Sequence, residues 1–234
     1  MKVLASDFDN TLFTEDYDEN IKKINEFVNK GNIFIIATGR NLGLLKPEIE
    51  SKNLNYDYLI CNDGGIIFDK NLNILYRLDI EEEIIDDLVL ELKNDPNITV
   101  AYIDDGINHL THKTVNNNVI NARYINPKQA QETLDKLMEK YSNIQGYLSH
   151  NWINIVNKKA NKGNAIKYLK EKLNLNKQNI YTVGDNINDI SMNEMYNGYY
   201  MKDNSKPELI EVSKAAVNSV KELINLIEAE KNDI

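Results

Sequence analysis

Val3-Leu4-Ala5-Ser6-Asp7-Phe8-Asp9-Asn10-Thr11, near the start of the chain, and Ile180-Tyr181-Thr182-Val183-Gly184-Asp185-Asn186-Ile187-Asn188-Asp189, far downstream, share one design. Each is a short apolar run, which reads as a buried strand, and each ends in carboxylates. In an open parallel sheet, ligands bind in the crevice outside the carboxyl ends of the strands. Two acidic strand ends in one such sheet can therefore converge on a single cation. A carboxylate beside that cation stays ionised and can attack phosphorus, so the pattern points to phosphoryl transfer.

Between these two stretches the chain alternates strand and helix. Ile21, Ile24, Phe27 and Val28 recur at helical spacing, and Gly31 sits where a residue past the helix end belongs. Ile33-Phe34-Ile35-Ile36-Ala37 is a continuous apolar strand, as expected when both faces are covered, and Thr38-Gly39-Arg40 follows it. A weaker helix is expected to end or kink around Pro47. Tyr58-Leu59-Ile60-Cys61 runs into Asn62-Asp63-Gly64-Gly65, and Ile66-Ile67-Phe68 with Ile74-Leu75-Tyr76 reads as a hairpin. The alternation predicts an α/β fold with a doubly wound parallel sheet.

Near residue 80 the pattern changes. A helix over 82–93 precedes strands at 98–103 and 107–111, with Asp104-Asp105-Gly106 as their turn. A helix over 128–141 precedes strands at 145–149 and 152–156. Helix-strand-strand thus occurs twice, which predicts a small antiparallel sheet with helices on one face, an inserted α+β domain. From Lys162 the strand-helix alternation resumes. The reading is a discontinuous core, 1–79 and 157–234, interrupted by a domain at 80–156. Asn116-Asn117-Asn118 reads as an exposed loop.

The bulk numbers narrow the function. The 234 residues suffice for a core with a small accessory domain. The formal charge of −9, with no cluster of Lys and Arg, disfavours nucleic-acid binding by phosphate neutralisation. No apolar stretch approaches the roughly 20 residues of a membrane span. Met1-Lys2 leads almost at once into a strand, which predicts no secretory leader. Cys61 is the single cysteine and follows an apolar run, so it reads as a buried structural thiol in a soluble, cytoplasmic protein.

Asp7 and Asp9 lie two apart, and a turn at Phe8 can redirect Asp9 towards Asp7. One carboxylate can then serve as nucleophile while the other handles a proton, as a phosphate monoester with its alkoxide leaving group demands. A solvated Asp-rich turn would read the same way in isolation. Thr11 can anchor the turn, and Asn10 tolerates a left-handed backbone. Oxygen ligands from Asp7 and Asp185 suit Mg²⁺ better than a soft metal. His109, His112 and His150 all fall in the insertion, so the core has no zinc ligand set. Asp189 reads equally as a charge at a helix start or as a metal contact. Thr38-Gly39 ends a strand and can bind phosphate through hydroxyl and amides. Lys162 opens a helix and can neutralise phosphate, with Lys158 and Lys159 as nearby rivals.

Taken together and in order, these segments resemble the motifs of the haloacid dehalogenase-like hydrolases. Asp7–Thr11 with Leu12 looks like the first motif, Thr38 the second, Lys162 the third, and Gly184–Asp189 with Met192 the fourth. The insertion resembles the type C2 cap of the Cof-like sugar-phosphate phosphatases, in a small form. Asn62-Asp63-Gly64-Gly65 looks like the Asn-Gly turn before that cap, with an extra Asp, and Asn10 stands where Gly is common. The resemblance implies Asp7 as nucleophile forming an aspartyl-phosphate. It implies Asp9 as general acid and then base, giving its carbonyl oxygen to Mg²⁺. Asp185 is then a second metal ligand, and Asp189 ligates the metal or orients a bound water. Thr38, Gly39 and Lys162 hold phosphoryl oxygens, assisted by Asn188. The implied substrate is a small phosphorylated metabolite, sugar phosphates first.

The cap is expected to choose the substrate, through His109, His112, Lys113, Arg123, Tyr124, Asn151 or Trp152. Trp152 itself reads as packed within the cap. Two other readings compete with a phosphatase. A phosphomutase would use the same intermediate and return the phosphoryl group to a sugar. A non-catalytic phosphate-binding module, such as a receiver domain, would explain neither the second acidic strand end nor the insertion.

Overall fold

The computed structural model describes residues 1–230 and contains two sheets. The larger begins with β1 (Val3–Ser6), followed by α1 (Tyr17–Asn29), β2 (Ile33–Ala37), α2 (Leu42–Glu50), β3 (Tyr58–Cys61), β4 (Ile66–Asp69) and β5 (Ile74–Arg77). The chain then builds the smaller sheet from α3 (Glu82–Asn94), β6 (Ile98–Asp104), β7 (His109–Leu110), β8 (Val119–Tyr124), α4 (Pro127–Lys140), β9 (Ile144–Ser149) and β10 (Trp152–Asn157). It returns through α5 (Lys162–Lys172), β11 (Ile180–Gly184), α6 (Ile190–Met195), β12 (Asn197–Met201), α7 (Pro207–Val212), β13 (Ala215–Val217) and α8 (Val220–Ala229).

Strand order in the larger sheet is β13-β12-β11-β1-β2-β3-β4-β5, parallel except for the β4–β5 hairpin at one edge. β1 therefore lies between β2 and β11, where the winding reverses direction and a crevice opens. Alternation along the strands sends Leu4, Phe34, Ile36 and Leu59 to one face, packed with Ile24 and Phe27 of α1, Leu45 of α2 and Ile224 of α8. Val3, Ala5, Ile35 and Ile60 face the other way, against Ile166 and Leu169 of α5 and Met192 of α6. Both faces are covered, so the strands read as unbroken apolar runs. Cys61 is fully buried, and burial pushes its thiol above the ordinary value. Gly31 has φ +80° just past α1, as its position in the sequence predicts.

The smaller sheet, β7-β6-β8-β10-β9, is antiparallel throughout. Ile120, Ala122, Ile153 and Ile155 on one face pack with Ile85 and Leu88 of α3 and Leu134 and Leu137 of α4. The opposite face carries a row across four strands: Tyr102 pairs with Asn121, Asn121 with Asn154, and Asn154 with Tyr147. That polar row looks towards the larger sheet's crevice.

Three sequence expectations need correction. The exposed Asn loop is buried at Asn117 and Asn118 and leads directly into β8, a strand the twofold helix-strand-strand reading lacks. Asn118 satisfies its amide on the Gly65 and Leu78 carbonyls, at 3.0 and 2.9 Å, which lie just before β4 and just after β5. The second helix runs through Pro47 to Glu50. Proline there removes one bond, to the carbonyl four residues back, and burial of Leu45 and Ile49 holds the helix around it.

Candidate active site

The carboxyl ends of β1 and β11 bring together Asp7, Asp185 and Asp189, all buried, with ligand oxygens within 4.8 Å of one another. Asp7 continues β1 and donates its backbone N–H to the Val183 carbonyl of β11 at 2.9 Å, so the two acidic loops start side by side. After Asp7 the chain turns sharply: Leu12 and Phe13 both donate to the Phe8 carbonyl, and Asn10 takes φ +58°. Asn tolerates this left-handed conformation better than most residues. Thr11 donates its hydroxyl to Asp185 Oδ1 at 3.2 Å, tying the first loop to the second.

Lys162 opens α5 and reaches the centre of the cluster. Its fully buried ammonium donates to Asp7 Oδ1 and Asp189 Oδ1, each at 2.6 Å. Asp189 also accepts the backbone N–H groups of Asp185 and Asn186, both at 3.0 Å, through Oδ2. With both oxygens engaged, Asp189 shapes the loop that carries Asp185. This fold-back needs Gly184: a Cβ there would lie 2.3 Å from Asp189 Oδ2.

Three carboxylates face one ammonium. Burial pushes the Asp7 carboxyl well above its ordinary value; Lys162 opposes this, while Asp189 and Asp185 add to it. Burial and the Asp189 charge raise Asp185 to about 6. Burial works against charge on Lys162, yet Asp189, Asp7 and Asp63 outweigh it and hold the ammonium above its usual range. Such an excess of hard anionic oxygens suits a divalent cation, and the donor chemistry fits Mg²⁺.

Asp9 turns away from this cluster. Arg40 grips it with a fork, Nε to Oδ2 at 2.9 Å and Nη2 to Oδ1 at 2.5 Å, while the guanidinium lies over Phe8 at 4.9 Å. Thr38 is buried at the end of β2, and its Oγ1 accepts the Arg40 N–H at 3.1 Å. Gly39 and Asn188 border the same cavity as Asp7, Asp9 and Asp185. This cavity measures about 450 Å³ and lies between the acidic strand ends and the smaller sheet.

The roof of the cavity includes Asn121, Tyr147, Trp152, Asn154 and His109. Trp152 faces the cavity, where the sequence suggested internal packing; its ring stacks on Tyr102, with centroids 6.2 Å apart. Of the other candidate cap contacts, Tyr124 is buried in the cap's own core, and Asn151 donates to the Tyr124 carbonyl. Lys113 pairs with Asp86 at the surface, and His112 and Arg123 are exposed.

Two residues absent from the sequence-based set are Arg40 and Asp63. Arg40 adjoins Thr38-Gly39, a signal available in the sequence. Asp63 accepts from Asn188 at 2.8 Å and from the Tyr147 hydroxyl, partners 125 and 84 residues away that no local pattern reveals.

The sequence from 1 to 232 matches the family model of sucrose-6F-phosphate phosphohydrolase. The chain belongs to this family. As a sucrose-6F-phosphate phosphohydrolase family member it is a hydrolase of the haloacid dehalogenase-like group, a phosphatase of small phosphorylated molecules. An uncharacterized protein of Mycoplasma capricolum is 29% identical over 262 residues, spanning 95% of this chain and 98% of the relative. The 5-amino-6-(5-phospho-D-ribitylamino)uracil phosphatase YcsE of Bacillus subtilis is 27% identical over 202 residues, spanning 82% and 80%. A haloacid dehalogenase-like hydrolase from B. subtilis shares the fold, with TM-score 0.84 at 16% identity and coverage of 97% and 99%. Among the described residues, no helix is long and apolar enough to cross a membrane.

Proposed function

We propose that this phosphatase hydrolyses phosphate monoesters of small metabolites, sugar phosphates foremost, through an aspartyl-phosphate on Asp7 and with Mg²⁺ as cofactor. In this reading 80–156 is a cap inserted into a catalytic core made of 1–79 and 157–234. The observation that carries it is the placement of Asp7 and Asp185 at adjoining strand ends beneath a roofed cavity, with Lys162 reaching Asp7 from the start of α5.

An Asp7 carboxylate oxygen attacks phosphorus and the ester P–O bond breaks, while Asp9, released from the Arg40 fork and protonated once substrate is bound, gives its proton to the departing alkoxide. Asp9 then takes a proton from the water that attacks the aspartyl-phosphate, restoring Asp7 and releasing inorganic phosphate. Lys162, the Thr38 hydroxyl, the Gly39 amide and Asn188 hold the phosphoryl oxygens as charge redistributes over them, a task of positioning and electrostatics. Asp7, Asp185 and the Asp9 carbonyl would hold Mg²⁺, which neutralises charge on the transferred group; Asp189 keeps their loop in place. The roof offers amides, the Trp152 ring and the His109 imidazole, which the Asp104 carboxylate beside it, at 2.8 Å, holds above its ordinary value. One amide nitrogen, Asn121 Nδ2, is buried without a partner, a donor suited to a substrate hydroxyl.

Phosphate release from a panel of sugar phosphates, nucleotides, phosphoglycolate and pyridoxal phosphate tests the reading. The panel is run with Mg²⁺, with EDTA, and with the Asp7→Asn protein. Mg²⁺-dependent release of free phosphate, lost in Asp7→Asn, is the expected outcome. An isomerised sugar phosphate without free phosphate would assign a mutase instead.

A further inference from the structure

Asp63 sits in a turn whose backbone is unusual. Asn62, Asp63 and Gly64 have φ of +49°, +54° and +96°, three successive left-handed residues, two of them not glycine. Strain of this kind persists only where the surroundings impose it. Here the turn is pinned to the end of β2: Asp63 N–H donates to the Thr38 carbonyl and Asn62 N–H to the Arg40 carbonyl, both at 3.0 Å. Gly64 also packs where a Cβ would meet the Asn161 carbonyl oxygen at 2.3 Å, just before Lys162. The turn therefore holds Asp63 rigidly between the Thr38 strand end and the start of α5.

The carboxylate so placed faces a region that already holds three others, and each of its oxygens has a donor. Oδ1 accepts the Asn188 amide at 2.8 Å, and Oδ2 accepts the Tyr147 hydroxyl. Burial and then the Asp63 charge push the Tyr147 phenol well above its ordinary value, so it remains a donor. Gly39 makes room for the pair: a Cβ there would lie 3.2 Å from both Asp63 oxygens and 3.3 Å from the Tyr147 hydroxyl. Tyr147 and Asn188 also form the partition between the 450 Å³ cavity and a second one of about 300 Å³, which Asp63 lines. A simple tie between the two sheets would need Tyr147 and Asp63 alone. The Asn188 limb carries the connection into the loop that bears Asp185 and Asp189.

We propose that Asp63 is a positioning residue: docking of Tyr147 fixes its carboxylate, and the carboxylate in turn orients Asn188 for the phosphoryl group. Phosphoryl binding is then completed only with the smaller sheet seated on the core. The proposal rests on the assignment of Asn188 to phosphate in the phosphatase reading.

The test uses inorganic phosphate, titrated against the metal-loaded protein and followed by the fluorescence of Trp152, the one tryptophan of the chain and a wall of the cavity. KM and kcat for a cleaved sugar phosphate are measured in parallel. Tyr147→Phe removes only a hydroxyl, and Asp63→Asn keeps a residue that tolerates the left-handed backbone. Each is expected to weaken phosphate binding and raise KM by about tenfold, the scale of losing a hydrogen bond to a charged group. In an Asn188→Ala background, Tyr147→Phe is expected to add nothing. Unchanged phosphate affinity in Tyr147→Phe, additive effects with Asn188→Ala, or no phosphate response in the wild-type protein would each overturn the proposal. If the wild-type protein binds phosphate but cleaves no ester, the phosphatase reading fails, and the phosphate series still decides the link from Tyr147 to Asn188.

Discussion

Lys162 Nζ lies 2.6 Å from Asp7 Oδ1, across 155 residues of sequence and out of contact with solvent. The ammonium cannot leave without stranding buried carboxylates, and Asp7 cannot be lost without exposing a buried cation to Asp189 alone. One contact thus joins the stability of the core to the group assigned to chemistry.

Replacing Lys162 by Met leaves three buried carboxylates without their cation. Breaking a buried ion pair from one side costs about 3–5 kcal/mol. Urea unfolding at neutral pH in the absence of Mg²⁺ is expected to show a loss of this size. The loss shrinks near pH 5, where Asp185, raised to about 6, takes up its proton. A variant as stable as the wild-type protein at neutral pH would show that the pair adds nothing.

The raised carboxyls give the metal-free protein a definite pH response. Asp185 titrates at about 6 in the folded chain against 3.8 as its ordinary value. Between these values the folded state holds a proton that the unfolded state has released, so stability falls as pH rises through the window. Above it the carboxylates are ionised and crowded, and a cation that binds them stabilises the fold by mass action. Thermal melting should therefore show a larger Mg²⁺-induced shift at about pH 7.5 than at about pH 5. Equal shifts at both would argue against these carboxylates as the metal's ligands.

The two roles proposed for Asp9 separate proton transfer from metal binding. Its side chain is held by Arg40, while the proposed metal contact is its carbonyl oxygen. Asp9→Asn is expected to lower kcat by about 10²- to 10⁴-fold, the usual scale of a general acid-base group. It should keep the Mg²⁺-induced rise in melting temperature. Loss of both together would place the side chain itself on the metal.

Gly184→Ala sets a Cβ against the Asp189 carboxylate at 2.3 Å, where backbone and helix leave little slack. The variant is expected to lose activity together with a measurable part of its stability, because Asp189 can no longer accept both the Asp185 and Asn186 amides. Retained wild-type kcat would show that this fold-back is dispensable.

The sequence made the core legible because each acidic or Thr-Gly segment there follows an apolar strand, and parallel strands put their ends on one side. Asn10, Thr11 and Lys162 followed from the same local logic. What stayed hidden depends on distant partners. Val119–Tyr124 went unread as a strand because the asparagines before it look solvated, and the partners that bury Asn118 lie more than thirty residues away. Asp63 read as a surplus residue in a turn, since its meaning lies with Asn188 and Tyr147. Trp152 read as core because an aromatic ring on a short strand gives no indication of which face of the sheet is covered by helices.

The most direct test of the account is acid quench of the wild-type protein during steady-state turnover, followed by mass analysis of the peptide that contains Asp7. The account predicts a phosphoryl adduct on Asp7, absent from Asp7→Asn, whose kcat should fall on the order of 10⁴-fold or more, as when an enzyme loses its covalent nucleophile. Normal phosphate release with no adduct on Asp7, or an Asp7→Asn protein that turns over like the wild type, would contradict it.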